Sequence, residues 1–232
     1  VKEFLRARKS DIEGIGLVRT ESLFINYKKI PDESRQFAAY KKIVTCMGNK
    51  PVIIRTADIG GDKVPEFLNM NDNSISRSDR GIKRSLEQRQ EFITQVRAIL
   101  RASEYGNAAI SFPMVDTACE IKEAREIIDY VNDELERING KRQSIRVGTM
   151  IETALSVENL EEILKQVDFI SIGTNDMLHQ ICEQNRKCST LEKRSYLEPV
   201  MLNTIKYCVD KALENKTEVS VCGEMATDPM GV

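Results

Sequence analysis

The chain has 232 residues, 41% of them apolar and 30% charged, which is enough to bury the core of one large domain or two small ones. Its 34 basic residues face 36 acidic ones, and a net charge of −2 argues against nucleic-acid-binding and membrane-surface proteins. No stretch approaches the roughly 18 to 20 uninterrupted apolar residues of a membrane span. We therefore expect a protein with no nucleic-acid partner and no membrane insertion.

Short β-branched runs alternate with longer amphipathic stretches along the whole chain. Six strands are predicted, at residues 15–18, 51–54, 109–112, 145–151, 169–172 and 219–222. Helices are predicted near 32–47, from 85 to 106, along 121–139, near 156–166 and near 199–215. Residues 59–79 have the composition of a long polar loop, and Ser85 with Gln88 predicts a capping box where the second helix begins.

This alternation predicts a parallel sheet with helical crossovers, for which two α/β architectures compete, a doubly wound open sheet and a (β/α)8 barrel. Reactive side chains follow the C-terminal end of nearly every predicted strand, as in a barrel with its site on that face. No GxGxxG follows the first strand, which disfavours a dinucleotide-binding sheet. Because only six strands are predicted, either two strands are missed or the chain is part of a barrel.

Convergence of these strand ends would bring arginines and acidic side chains together. The candidates are Arg19, Arg55, Arg80 and Arg186 among the basic residues, and Glu152 and Asp176 among the acidic ones. Arginine offers bidentate donors for phosphate and carboxylate, and two carboxylates beside a phosphate suit Mg²⁺. Thr174 and Asn175, in a turn that leaves a strand, are further donors to phosphate oxygens. The set indicates phosphate binding or phosphoryl transfer.

Each of these residues also has an ordinary structural interpretation. A strand-end arginine is commonly an ion-pair partner, Glu152 or Asp176 could cap the following helix, and a buried Cys222 could be a small apolar residue. The six cysteines include no CxxC pair and the single histidine is His179, so a Cys/His zinc site is disfavoured. Scattered cysteines are typical of reduced thiols, which predicts a cytoplasmic protein. Composition and spacing by themselves therefore indicate a cytoplasmic α/β domain that binds anions.

Seven segments, in this order, resemble one family. They are GLVRTE (16–21), RTADIGGDK (55–63), RAILRAS (97–103), FPM (112–114), GTMIET (148–153), SIGTND (171–176) and CGEMA (222–226). The resemblance is to the phosphoenolpyruvate-binding domain of bacterial enzyme I, the phosphoenolpyruvate–protein phosphotransferase of the sugar phosphotransferase system. It covers essentially the whole chain, and RTADIGGDK favours enzyme I over pyruvate, phosphate dikinase and phosphoenolpyruvate synthase.

The resemblance implies a (β/α)8 barrel of the phosphoenolpyruvate/pyruvate-binding type, present here as one incomplete domain over residues 1–232. Residues 1–13 resemble the helix after the family's first strand and Val232 falls before its eighth, so the opening and closing strands are expected to be missing. The N-terminal domains of enzyme I, which hold the phosphorylated histidine and dock the phosphocarrier protein, are also expected to be absent. His179 does not match that histidine and is interpreted as an ordinary loop residue. The family's barrel is its dimerisation domain, which implies a homodimer.

Position by position, the resemblance implies a role for each candidate. Arg19, Arg55 and Arg186 would bind the phosphate and carboxylate of phosphoenolpyruvate, with Arg80 assisting. Glu152 and Asp176 would ligate Mg²⁺, Asn175 would contact the phosphate, and Cys222 would protonate the methylene carbon of the pyruvate enolate. A cationic site would depress the thiol pKa, so a bound anion is expected to offset that pull and keep Cys222 protonated.

The sequence departs from the family pattern around the substrate loops. NSISRSDR (73–80) stands where the family has Asn-Pro-x-Leu-Gly-x-Arg, Ala154 replaces a proline, Leu178-His179-Gln180 replaces Thr-Gln-Tyr, and Asn185 replaces the Asp before Arg186. Every charged catalytic position stays filled. Substrate affinity and loop order are therefore the properties expected to differ.

Two other functions fit the same residues. A diverged module that dimerises or regulates without turnover would account for the altered loops and the missing strands. A fragment of a pyruvate, phosphate dikinase or a phosphoenolpyruvate synthase would act with a nucleotide-binding domain outside the chain. The preferred expectation is a phosphotransferase, that is, a kinase that serves sugar transport. The fragment alone is not expected to complete turnover.

Overall fold

A computed structural model of the protein describes residues 12–23, 30–59, 80–184 and 196–229. The predicted site residue Arg186 and the GGDK segment at 60–63 lie outside the described residues, as does most of the loop predicted at 59–79. None of the helices in the described ranges is both long enough and apolar enough to span a membrane.

Strands and helices alternate through the described ranges, and each strand lies within one residue of its predicted bounds. The strands are β1 (Ile15–Arg19), β2 (Val52–Arg55), β3 (Ala108–Phe112), β4 (Arg146–Ile151), β5 (Phe169–Gly173) and β6 (Glu218–Cys222). The helices are α1 (Glu33–Met47), α2 (Ile82–Glu87), α3 (Arg89–Ser103), α4 (Ala118–Asn139), α5 (Ala154–Glu158), α6 (Leu160–Leu164), α7 (Thr174–Gln184) and α8 (Pro199–Glu214). Short 3₁₀ turns, Thr20–Leu23 and Glu224–Thr227, follow β1 and β6.

The six strands form one parallel sheet in the order β1 to β6, so that each strand lies beside its neighbours in sequence. A doubly wound sheet would reverse its strand order at a switch point, and this sheet does not. The sheet curls until Cα atoms of β1 and β6 come within 8 Å, although no backbone ladder joins these two strands within the described ranges. The fold is an incomplete, curled (β/α) barrel, as predicted.

The two faces of the sheet pack differently. The face that meets the helices contributes to one large apolar core, with Phe92 of α3 among its buried side chains. Because strand side chains alternate between faces, Ile53, Ala109 and Phe169 form a separate small cluster. The ring of Phe169 packs against Gly148 on β4, where a Cβ would lie 2.3 Å from that ring. The glycine thus leaves the space on β4 that the Phe169 ring occupies.

Local signals define the ends of the long helices. The side chain of Asp32 accepts a hydrogen bond from the backbone N–H of Arg35 at 3.0 Å and caps α1, which ends at Gly48 with a φ of +61°. At the start of α4, the carboxylate of Glu120 accepts from the backbone N–H of Thr117 at 2.9 Å. These helices begin and end close to where the sequence predicts.

The capping box predicted at Ser85 and Gln88 is wrong. Ser85 lies inside α2, where its hydroxyl donates to the carbonyl of Gly81 at 3.0 Å, and Gln88 marks the break between α2 and α3. A serine acts as an N-cap only where the backbone is not yet helical, which the spacing alone cannot reveal. The helix predicted near 156–166 is likewise two short helices, α5 and α6, which meet at Asn159.

Candidate active site

A cavity of about 220 Å³ opens at the C-terminal ends of the strands. Seven of the nine candidate residues line it, namely Arg19, Arg55, Glu152, Thr174, Asn175, Asp176 and Cys222. They come from, or closely follow, five different strands, and parallel strands end on the same face of a barrel. The tertiary structure therefore brings together residues that are far apart in sequence.

Arg55 is the buried cation of the cavity, with 4% of its surface exposed. Its Nη2 lies 3.2 Å from Glu21 Oε1 and 3.2 Å from Asp58 Oδ2. Burial alone would lower the pKa of Arg55, but the charges of Glu21 and Asp58 outweigh it and hold that pKa above its ordinary value. Its Nε is buried without a hydrogen-bond partner in the described part of the chain, which leaves one donor for an anion.

A buried polar network fixes the backbone around Arg55. The hydroxyl of Thr20 donates to the Arg55 carbonyl at 3.0 Å, and Gln95 Nε2 donates to that hydroxyl at 3.2 Å and to Tyr40 Oη at 3.0 Å. The Gln95 side-chain oxygen accepts from the backbone N–H of Ala57 at 2.9 Å. Since satisfied buried networks are rigid, Gln95 on α3 holds the segment that follows β2 in one conformation.

Glu152 follows β4 and is 1% exposed. Its Oε1 accepts from the backbone N–H of Met114 at 2.8 Å, and Met114 adopts a positive φ of 55° to present that donor. Gly173 makes room for the carboxylate, since a Cβ there would lie 2.5 Å from Glu152 Oε2. Burial first, and then the negative charge of Asp176, raise the pKa of Glu152 to about 7 against the pull of Arg55.

Asp176 is bound by the predicted substrate residue Arg80. Arg80 Nη1 donates to Asp176 Oδ1 at 2.8 Å and Nη2 donates to Oδ2 at 3.2 Å. On its other side, Arg80 Nε and Nη2 each donate to an oxygen of Asp58 at 2.7 Å. Burial would lower the pKa of Arg80, and these two carboxylates raise it well above its ordinary value. Arg80 therefore contacts the cavity through Asp176.

Within the described ranges, Asn175 is held through its side-chain oxygen and not through its amide nitrogen. Its Oδ1 accepts from the backbone N–H of Glu224 at 3.0 Å and lies 3.4 Å from the hydroxyl of Tyr196, which also donates to Glu224 at 2.7 Å. Gly223, with a φ of +105°, permits this approach because a Cβ there would lie 2.8 Å from Asn175 Oδ1. The Nδ2 donor can then serve a phosphate oxygen.

Cys222 ends β6, and its Sγ donates to the carbonyl of Ile172 at 3.4 Å. Burial, followed by the charge of Glu152, raises the pKa of the thiol to about 11, although Arg55 and Arg19 pull it down. The expectation of a thiol pKa that is depressed overall is wrong: the arginines lower it, but burial and the carboxylates outweigh them. Cys222 is a thiol at neutral pH without needing a bound anion.

His179 lies on a helix, which corrects its interpretation as a loop residue. Helix α7 begins at Thr174, directly after β5, where the sequence predicts a turn. His179 is four residues after Asn175 and three after Asp176, so all three share one face of α7 and line the cavity. The next residue, Gln180, accepts from the backbone N–H of Ala154 at 3.0 Å and ties α7 to the start of α5.

The whole chain, residues 1–232, matches the family described as PEP-utilising enzyme, PEP-binding domain. The chain belongs to this family. The domain is similar to phosphoenolpyruvate-protein phosphotransferases of Geobacillus stearothermophilus, at 38% identity over 95% of the chain, and Haemophilus influenzae, at 36% over 96%. It is also 36% identical, over 100% of its length, to a multiphosphoryl transfer protein of Rhodobacter capsulatus. The resemblance to enzyme I is confirmed.

The domain spans 39% of the two phosphotransferases and 28% of the multiphosphoryl transfer protein. Among solved structures it is similar to a citrate lyase from Burkholderia xenovorans, with a TM-score of 0.51 and 15% identity over 91% of this chain and 64% of that one. It is also similar to citrate synthase SbnG, with a TM-score of 0.53 and 9% identity over 97% of this chain and 76% of that one. At such low identity these structures support the fold alone.

The domain offers a divalent cation two carboxylates, Glu152 and Asp176, both on the cavity wall. No cluster of three or more metal-ligating side chains occurs within the described residues. Mg²⁺ is commonly held by one or two carboxylates, with substrate phosphate and water completing its shell, so two are sufficient. The raised pKa of Glu152 reflects a buried carboxylate near a second one, and a cation there would relieve that repulsion. The residues fit Mg²⁺.

Sequence reasoning did not single out several residues that shape this site. Glu21 and Asp58 stand inside the matched segments GLVRTE and RTADIGGDK, so the segments held a signal for them. That both carboxylates pair with Arg55 is visible only in the tertiary contacts. Gly173 matters for the space that it leaves, and Tyr196 gave no signal because it belongs to no matched segment.

Proposed function

We propose that this domain binds phosphoenolpyruvate together with Mg²⁺ and supplies the phosphoryl group to a histidine outside these 232 residues, with release of pyruvate. The observation that carries the proposal is the convergence of arginines, two carboxylates, an amide and a thiol in one cavity. Phosphoenolpyruvate carries a phosphate ester and a carboxylate on the same carbon. The cavity offers donors for both anionic groups and a proton for the carbon skeleton.

In this proposal the arginines and Asn175 bind the substrate's anionic groups. Arg55 is fixed by Glu21 and Asp58 and keeps its Nε for the ligand, while Asn175 offers Nδ2 to the phosphate. Arg19 and Arg186 contribute further positive charge. Because Arg55 and Asn175 are held before substrate arrives, little free energy is spent on reorganising them during the reaction.

Glu152 and Asp176 are the residues proposed to hold Mg²⁺. When bound, the cation would neutralise the negative charge that spreads over the phosphoryl oxygens during transfer. The chain's own contribution is to hold both carboxylates: the backbone N–H of Met114 donates to Glu152, and Arg80 donates to Asp176. Both carboxylates lie on the wall of the same cavity.

Cys222 is proposed to complete the conversion to pyruvate. As the bond between phosphorus and the enol oxygen breaks, its electron pair stays on that oxygen and the histidine nitrogen forms the new bond to phosphorus. The resulting enolate takes a proton at its methylene carbon from the Cys222 thiol, and the thiolate regains a proton from solvent. A thiol pKa of about 11 keeps that proton in place until the enolate forms.

Residues 1–232 are proposed to act as one partial barrel domain in the first step of the sugar phosphotransferase system. The phosphohistidine domain, and the phosphocarrier protein that it serves, are proposed to act from outside this chain, so the domain alone does not complete turnover. Homodimerisation, from the resemblance, and a cytoplasmic location, from cysteine usage, also remain proposals. Sedimentation velocity tests the first of these, and a monomer at every concentration would contradict it.

Calorimetric titration with phosphoenolpyruvate, in Mg²⁺ and then in excess chelator, tests the proposal. We expect binding that depends on the metal and that Arg55→Ala weakens at least about tenfold, since charge-assisted hydrogen bonds are lost. Arg89→Ala, on the exposed surface of α3, is the matched control and should bind like the parent. Failure of a folded parent to bind would favour a module that dimerises or regulates without turnover.

A further inference from the structure

Arg80 lies between two carboxylates of different character. Asp58 is 0% exposed and accepts two hydrogen bonds from Arg80, both at 2.7 Å. Asp176 lies on the cavity wall and accepts from the same guanidinium at 2.8 and 3.2 Å, one bond to each oxygen. All three nitrogens of the Arg80 guanidinium are therefore engaged by these two side chains.

The contacts of Arg80 cover the atoms of Asp176 that a cation would use. A metal ligated by this carboxylate needs at least one of its oxygens, and Arg80 donates to both. A guanidinium and a divalent cation carry like charges, which repel when both lie against one carboxylate. Metal binding at Asp176 thus requires Arg80 to give up at least one of these hydrogen bonds.

Asp58 determines what that release costs. A buried guanidinium without a partner is strongly destabilising, but Arg80 keeps its two bonds to Asp58 after leaving Asp176. Asp58 is itself held in place, since Arg55 Nη2 lies 3.2 Å from its Oδ2. The charge of Arg80 therefore stays compensated in either position.

We propose that Arg80 and a divalent cation compete for the carboxylate of Asp176, and that Asp58 is the positioning residue that lets Arg80 yield. This inference rests on the proposed metal site and adds a competition within it. Without metal, Arg80 closes the site by occupying Asp176. With metal bound, Arg80 remains beside the cavity on Asp58, and the donor it releases, Nη1, faces the region where the metal and its anion lie.

The test is a titration of the 232-residue chain with Mn²⁺, followed by electron paramagnetic resonance of the free ion. Arg80→Gln removes the competitor, and we expect it to bind Mn²⁺ about tenfold more tightly, the effect of one charge-assisted hydrogen bond. The control variant is Arg84→Gln, which loses the same charge four residues away, where Arg84 pairs with Glu91 at 3.5 Å. Its affinity for Mn²⁺ should equal that of the parent. Equal affinity of Arg80→Gln and the parent would overturn the proposal.

A double-mutant cycle tests the part played by Asp58. Asp58→Asn should weaken Mn²⁺ binding about fivefold where Arg80 is present, because an uncharged amide with one oxygen acceptor replaces the carboxylate and Arg80 pairs more strongly with Asp176. In the Arg80→Gln background the same change should cost less than about twofold. An equal loss in both backgrounds would mean that Asp58 acts through its own charge alone, and would overturn its positioning role.

Two further measurements separate folding failure and failure of the metal site from failure of this inference. If Arg80→Gln does not fold, Arg80→Lys keeps the charge but not the planar fork, and should still bind Mn²⁺ more tightly than the parent. No Mn²⁺ binding by the parent or by any folded variant would overturn both the metal site and the competition. Metal-dependent binding of phosphoenolpyruvate by the parent, with no gain in either Arg80 variant, would overturn the competition alone.

Discussion

Cys222 and Glu152 are neighbouring ionisable side chains whose protons are retained for the same physical reason. Burial is the largest influence on each, and it raises the pKa of the thiol to about 11 and that of the carboxyl to about 7. The negative charge of Glu152 adds to the shift of Cys222, and Arg55 opposes both shifts. Desolvation outweighs the arginines at these two residues.

The thiol of Cys222 should react slowly with iodoacetamide at neutral pH. Only the thiolate is alkylated, and a pKa of about 11 rather than 9 lowers the thiolate fraction about a hundredfold. Mass spectrometry of the alkylated peptides over time measures the rate, with the exposed Cys119 as the internal reference. Equal rates for the two cysteines would contradict the raised pKa.

Glu152→Gln should stabilise the metal-free domain at high pH and leave it unchanged at low pH. Between the ordinary pKa of 4.5 and the folded value of about 7, the folded chain holds a proton that the unfolded chain has released. Stability of the parent therefore falls as the pH rises through this window, whereas glutamine suffers no such loss. The difference should be on the order of 3 kcal/mol above about pH 7.

Urea unfolding in the presence of a chelator measures that difference. Parent and variant are compared at about pH 4 and about pH 8, with the two-state criterion checked at each. The variant should gain only at the higher pH. A constant offset between the two proteins at both pH values would show that the change acts through packing rather than through ionisation.

Helix α7 carries several cavity residues because no loop separates it from β5. The helix begins at Thr174, one residue after the strand, so Asn175 and Asp176 enter the cavity from its first turn. Gln180, one turn later, accepts from the N–H of Ala154 at the first position of α5. This hydrogen bond thereby joins the helix that carries Asp176 to the start of α5, two residues after Glu152.

This contact explains two departures from the family pattern together. The resemblance to enzyme I leads one to expect proline at position 154, which carries no N–H, and tyrosine at position 180. Here Ala154 supplies an N–H and Gln180 supplies the acceptor. The first N–H groups of a helix have no partner within that helix, so this pairing satisfies one of them. The substitutions are complementary in the structure.

A thermodynamic cycle checks the pairing. Gln180→Ala should lower the free energy of unfolding by about 1 kcal/mol in the parent, the usual net value of one hydrogen bond. In an Ala154→Pro background the same change should cost almost nothing, since the donor is already gone. Urea unfolding of the four proteins gives the coupling. Additive effects would mean that the hydrogen bond contributes nothing to stability.

At the scale of the whole molecule, the curled sheet leaves its outer strands without a second ladder in the described residues. On β6, Val221 is 37% exposed, and most of the strand is accessible to solvent, unlike β2, β3 and β5, whose residues are all buried. An exposed edge strand is a template for pairing with another chain. The domain by itself should therefore associate through β6 at high concentration.

Val221→Lys should reduce this association. A lysine on an edge strand opposes pairing with a second copy by charge and by the desolvation it would suffer, while a partly exposed position tolerates it. Light scattering at increasing concentration measures the effect, and the melting temperature reports whether the fold is retained. Unchanged scattering from a folded variant would show that β6 is not the surface through which copies associate.

The sequence predicts the framework well because its signals are local or periodic. All six strands are apolar runs of the expected length, and α1 ends at Gly48 as its position indicates. Predictions failed where one sequence pattern is compatible with two backbone conformations. Gly173-Thr174-Asn175 has the composition of a turn yet begins a helix, and Ser85 has the spacing of a cap yet lies inside one.

The candidate site divides in the same way. Chemical types and strand order, read from the sequence, determine which residues meet, because parallel strands direct their C-terminal ends to one face. The sequence alone thus led to Arg19, Arg55, Glu152, Asn175, Asp176 and Cys222, which share one cavity.

What only the tertiary structure decided is the state of those residues. The thiol pKa of Cys222 depends on burial and on every charge nearby, and the sum has the opposite sign to that expected from the arginines alone. The partners of Arg80 lie 22 and 96 positions away in the chain, so no local pattern could reveal that it bridges Asp58 and Asp176. Sequence determines which groups converge, whereas ionisation and pairing depend on distances and desolvation that exist only after folding.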